Sequence, residues 1–93
     1  MCLELKFNIE NFDKWKTNFE KNVGLRKEHG SRGAIAFTDP EKPNEVTIVI
    51  KAMNKANMAR ANETGEFQSA MKESGIVGEP QMRFLNYVTE VDN

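Results

Sequence analysis

Five residues spaced three or four apart, Trp15, Phe19, Asn22, Arg26 and His29, combine aromatic surface, a fixed positive charge and a group that exchanges protons near neutral pH. At ~100° per residue all five project within about 40° of Trp15 on a helix, and Phe12 joins them at about 60°. The stripe therefore begins aromatic and ends polar without leaving its phase. A polar group on a buried stripe must find a partner, because burying it unpaired costs about 1–3 kcal/mol. A cavity along this stripe would have an apolar wall from Trp15 and Phe19, with Asn22 beside it. Arg26 could hold an enolate or carboxylate there, and His29 could move a proton. Tyr87, the only tyrosine, could donate a hydrogen bond to a bound oxygen. The candidate catalytic pair is thus His29 and Arg26, and the candidate substrate contacts are Trp15, Phe19, Asn22 and Tyr87.

A plainer reading of the same residues stays open. Basic side chains near a helix C-terminus are stabilised by the macrodipole without any ligand. Gly24 can shift the helix phase enough to expose them, a tryptophan is more often core than ligand platform, and a strand tyrosine commonly packs its ring and wets its hydroxyl.

Composition removes several other chemistries. Thirteen basic and 14 acidic residues leave a net charge of −1, too little field to gather nucleic acid or an anionic membrane. One His and one Cys, far apart, cannot build a typical zinc site. Gly30-Ser31-Arg32-Gly33 is too short for a phosphate loop and precedes a strand, not a helix. Arg32 to Phe37 faintly matches an RNA-recognition core motif, but it carries Ala where stacking aromatics are needed. Cys2 has no thiol partner and reads as inert, which favours a reducing compartment. Residues 1 to 30 show no basic stretch leading into an apolar run, and no apolar segment approaches the ~20 residues that cross a bilayer. The expectation is a soluble cytoplasmic protein.

The elements that must position the stripe follow from periodicity. Leu3, Leu5 and Phe7 alternate with Glu4, Lys6 and Asn8, which predicts a strand with one buried face. Asn11 caps a helix predicted from Phe12 to His29, weakened at Gly24 and ended by Gly30. Gly33 to Thr38 predicts a short strand, Asp39 to Asn44 with Pro40 and Pro43 a hairpin loop, and the β-branched run within Glu45 to Ala52 a central strand. Asn54 opens a second helical region, interrupted at Thr64 and Gly65 and ended by Gly75. Ile76 to Pro80 reads as a connector. Gln81 to Val91 reads as a last strand, long against a usual ~5–6 residues, so its end is expected to pair outside its own sheet.

The order β-α-β-β-α-β predicts one α+β domain over residues 1–93, a ferredoxin-like sandwich with helices on one sheet face. Residues 82–87 alternate Met82, Phe84 and Asn86 with Arg83, Leu85 and Tyr87, so neither face of the last strand is cleanly polar. Two such sheets stacked face to face would cover the second face, which predicts a homodimer.

The chain also resembles the dimeric α+β barrel superfamily, near its antibiotic-biosynthesis-monooxygenase type. The resemblance lies in Phe12-Asp13-Lys14-Trp15-Lys16, in Arg26 to Gly33, in Pro43-Asn44-Glu45-Val46, in Phe67 to Pro80 with Ala70-Met71-Lys72 and Gly75-Ile76-Val77-Gly78-Glu79-Pro80, and in Phe84-Leu85. It implies a homodimer with a pocket between helices and sheet. Members include cofactor-independent oxygenases, cyclases, isomerases and heme-degrading enzymes, so it implies no single reaction. The Asn, Trp and His of the heme-degrading type do not transfer onto Asn8, Trp15 and His29, because Trp15 and His29 share the first helix here.

Two function classes follow. The first is a homodimer that handles an aromatic or polyketide-like substrate without metal or flavin, removing a proton to give an enolate that reacts with oxygen or closes a ring. The second is a non-catalytic metabolite-binding or regulatory dimer of the same fold.

Overall fold

The computed structural model describes residues 1–93. Four strands, β1 (Cys2–Ile9), β2 (Gly33–Asp39), β3 (Lys42–Lys51) and β4 (Ile76–Leu85), form one antiparallel sheet in the order β2-β3-β1-β4. Four helices, α1 (Phe12–Lys21), α2 (Val23–Glu28), α3 (Lys55–Thr64) and α4 (Glu66–Glu73), fill the two crossovers. The result is an α+β, ferredoxin-like fold.

Register sorts the side chains onto two faces, since residues directly opposite across an antiparallel ladder share a face. Leu3 lies between Ile50 and Phe84, and Leu5 between Ile48 and Met82. Leu3, Leu5, Ile48 and Ile50 form the core under the helices with Phe7, Ile9, Val46, Trp15 and Met53, and Phe84 packs against it. Glu4, Lys6, Val49, Ile35, Phe37 and Arg83 take the other face.

The helix starts follow from capping. Asn11 Oδ1 accepts from the Lys14 amide at 2.9 Å, and Asn54 Oδ1 from the Asn57 amide at 2.8 Å. The first helical region is two helices, not one. The interruption is a single residue, Asn22, two positions before the expected weak point at Gly24. Asn22 N–H donates to Asn18 O and closes α1, and Arg26 N–H donates to Asn22 O and opens α2, so this one residue caps both helices. At the far end Gly30, at φ +93°, closes α2 in a Schellman motif: Ser31 N–H donates to Arg26 O and Gly30 N–H to Lys27 O. The second region divides at Gly65, which is left-handed at φ +72°.

Three boundaries differ from expectation. The β2–β3 hairpin is tighter than a loop from Asp39 to Asn44, because Asp39 Oδ1 accepts from the Glu41 amide at 2.8 Å and closes the turn over two residues. Pro43 is tolerated in β3 because it lies beyond Glu45, the last β3 residue paired with β1. The segment from Ile76 to Pro80 is the first half of β4, not a connector. Its Gly78, at φ +75°, and Pro80 sit where the β1–β4 register shifts between Lys6 and Asn8, and an irregularity of this kind accommodates both residues. β4 then ends at Leu85 instead of Val91. Leu85 pairs with Cys2, where β1 begins, so residues 86–93 have no strand beside them.

Candidate functional site

The space between sheet and helices is not filled. An apolar cavity of about 240 Å³ lies there, floored by Leu3, Leu5, Phe7, Ile48 and Ile50. α1 and α2 wall one side with Trp15, Phe19, Asn22, Leu25 and Arg26. α3 and α4 wall the other with Met58, Asn62, Phe67, Ala70, Met71 and Ser74. Pro80 and Met82 border it along edge strand β4, and Met82 is 51% exposed although it shares the core face. A shallower polar depression between the two helix joints shares Asn22, Leu25 and Ala70 with the cavity.

The aromatic wall is a stack. Trp15, only 4% exposed, lies 5.0 Å from Phe19 with ring planes 21° apart. Phe7 and Phe12 pack against Trp15 at 5.9 and 6.3 Å between ring centroids. The Arg26 guanidinium covers the opposite end, with Cζ 4.1 Å from the Phe19 centroid. Arg26 is half-buried and forms no salt bridge; the three ion pairs of the molecule lie elsewhere. Burial alone pushes its pKa below the usual arginine value, with no carboxylate near enough to oppose it.

Two amides, Asn22 and Asn62, line the same cavity as this cation. Asn22 makes no capping hydrogen bond with its side chain. Asn62 Oδ1 accepts from Gln68 Nε2 at 2.7 Å, which leaves the Asn62 amide N–H groups for other partners. Ser74 is satisfied, its hydroxyl donating to Ala70 O at 2.7 Å.

Of the six residues singled out from sequence, Trp15, Phe19, Asn22 and Arg26 line the cavity. His29 and Tyr87 do not. His29 caps the end of α2, and its ring packs 5.4 Å from Phe67, which does line the cavity. Its Nε2 is buried with no hydrogen-bond partner. Tyr87 lies past the end of β4, is 63% exposed, and has its hydroxyl 3.5 Å from Glu90 Oε2. Of the lining residues of α3 and α4, the sequence marks only the flexible Met58 and Met71 as suited to an adaptable apolar pocket. Their signal was present as helical spacing, Met58 with Asn62 and Phe67 with Ala70, Met71 and Ser74, but spacing does not say that two helices leave a gap between them and the sheet.

This arrangement defines a class by fold: the ferredoxin-like fold of the antibiotic-biosynthesis monooxygenases. Among solved structures, a presumed antibiotic biosynthesis monooxygenase from Bordetella bronchiseptica superposes with a TM-score of 0.79 at 17% identity, over 95% of this chain and 97% of that one. A cofactor-independent oxygenase from Streptomyces nogalater, SnoaB, superposes with a TM-score of 0.72 at 10% identity, over 94% of this chain and 93% of that one. A presumed antibiotic biosynthesis monooxygenase from Bacteroides thetaiotaomicron gives 0.71 at 15% identity, over 96% and 90%. At these identities the likeness establishes the fold and no reaction. No protein-family profile matches the sequence, and no curated protein matches it.

Proposed function

We propose that the protein is a homodimer that binds an aromatic or polyketide-like molecule between helices and sheet and acts on it without metal or flavin, as a monooxygenase or cyclase. The observation that carries this reading is the cavity itself, an apolar space beside a half-buried guanidinium that has no carboxylate partner. The shared fold with a cofactor-independent oxygenase supports it. In this reading Trp15 and Phe19 hold the planar body of the substrate, Asn22 contacts its polar edge, and Arg26 stabilises the oxygen that becomes negative when a carbon-bound proton leaves. His29 is the base, acting from its place against Phe67, which lines the cavity. The resulting enolate reacts with dioxygen or closes a ring.

A second copy fits the rest of the surface. On the open sheet face Phe37 is 54% exposed, and Ile35, Val77 and the half-buried Val49 share that face. Beyond the sheet, Val88 and Val91 of the C-terminal segment are exposed as well. Stacking two sheets would bury this surface, and the segment carrying Tyr87 would lie against the partner. The lone Cys2 suits a reducing, cytoplasmic setting.

One observation favours a non-catalytic metabolite-binding dimer instead: the only imidazole does not line the cavity. Oxygen uptake with enolisable aromatic ketones, measured alongside their binding, separates the two. Turnover that His29→Ala abolishes while binding persists supports the enzyme. Binding without turnover supports the second reading, and no binding of any aromatic compound removes both.

A further inference from the structure

The lining restricts the ligand more narrowly than the fold does. A cavity of about 150 Å³ lined by aliphatic and aromatic side chains holds one benzene, and drug-sized ligands occupy roughly 300–1,000 Å³. At about 240 Å³, the enclosed part of this cavity matches one or two fused rings, and a longer polycycle would extend out of it into solvent.

The wall then sets the charge of the occupant. Fourteen of the 19 lining residues are apolar, and none is acidic. The one charged lining residue, Arg26, has its lowered pKa accounted for by burial alone. Its guanidinium face is used by Phe19, and its planar fork of N–H donors has no carboxylate partner in the molecule. The amide N–H groups of Asn62 are likewise uncommitted by its bond from Gln68. A guanidinium left half out of water without an acceptor is better satisfied by an ionised oxygen than by a neutral one. The Arg26 backbone is fixed by its carbonyl accepting from the Ser31 amide at 3.0 Å, and its guanidinium rests on the Phe19 ring.

We propose that the ligand of this cavity is a planar organic anion of one or two rings, with its rings along Trp15 and Phe19 and its carboxylate or enolate oxygens on Arg26, Asn22 and Asn62. This rests on the cavity reading above but changes its substrate class, from a neutral polyketide-like body to a small arene carrying a formal negative charge before any proton is removed.

The test uses three probes with the intact protein, titrated by isothermal calorimetry and by Trp15 fluorescence. They are 2-naphthoate, its neutral isostere 2-naphthamide, and the three-ring anthracene-2-carboxylate. The expected result is that 2-naphthoate binds at least tenfold more tightly than either of the others. Arg26→Gln should weaken 2-naphthoate at least tenfold and 2-naphthamide by much less, so that the preference is lost. Arg26→Lys, which keeps charge but loses the planar fork, should fall between the two. Equal affinity for naphthoate and naphthamide, or a naphthoate preference that survives in Arg26→Gln, overturns the anion assignment and leaves the cavity reading standing. Tighter binding of the three-ring probe overturns the size limit. Failure of all three probes to bind overturns this inference and the cavity reading together.

Discussion

The two faces of the sheet are built from the same strands by the same alternation, yet they solve burial differently. On the helix face, Leu3, Leu5, Phe7, Val46, Ile48 and Ile50 are all buried, and the gap they leave is an apolar cavity. On the open face, charge crosses the strands directly. Lys6 pairs with Glu45 at 3.0 Å, and Arg83 with Glu4 at 2.8 Å. Ile35 and Phe37 stand exposed beside these pairs. The difference shows that apolar content alone does not identify a site. Ion pairs in water contribute little stability but set which surfaces can meet, so the open face suits contact with another protein surface. The helix face excludes charge except at Arg26, so it suits a small molecule.

The comparison breaks most severely if the helix face loses its anchor. Trp15→Ala should destabilise the fold by about 3–5 kcal/mol. In the native protein Trp15 emission should be blue-shifted and should move red on unfolding. A native maximum typical of water-exposed indole would contradict the burial of the stripe.

The next variant acts where helix phase is fixed. Gly30 is at φ +93°, and an added Cβ would approach Asn57 Nδ2 to 2.8 Å. Gly30→Ala should therefore cost about 1–3 kcal/mol and weaken any ligand contact made by Arg26. Denaturant unfolding at unchanged m-value checks the first part.

On the open face, Phe37→Asp should leave the fold intact and convert a dimer to a monomer, read as a halved mass in light scattering. A monomer already present in the native protein at micromolar concentration would remove the homodimer proposal. The smallest effect belongs to Gly24, which has open space around it and no positive φ. Gly24→Ala should stabilise by up to about 1 kcal/mol, seen as a small rise in the midpoint of thermal unfolding.

How much of this was legible in sequence depends on whether the deciding contact is local. The alternation of Leu3, Leu5 and Phe7 marked the buried face of β1 because period two is a local property. The stripe from Trp15 to Arg26 lines one cavity although the helix breaks at Asn22, because the break is a single residue long. His29 did not follow it into the cavity: α2 ends there, and the ring settles on Phe67, from an element 38 positions along the chain. β4 was misplaced because Gly78 and Pro80 read as loop residues, and only pairing with β1 shows them accommodated where the register shifts. Tyr87 fell outside the sheet for a similar reason, since the length of β4 is limited by where β1 starts. Asn62 and Met71 depend on how two helices sit over one sheet, a long-range outcome that no spacing rule contains.

The central claim is that the two faces divide the work, with the helix face taking a small planar molecule. Nuclear Overhauser contacts between 2-naphthoate and the methyl groups of the protein test it most directly. Contacts are expected from the naphthalene protons to the methyls of Met58, Met71 and Ile48, and none to those of Val49 or Ile35. Contacts confined to Val49 and Ile35 would place the ligand on the open face and contradict it.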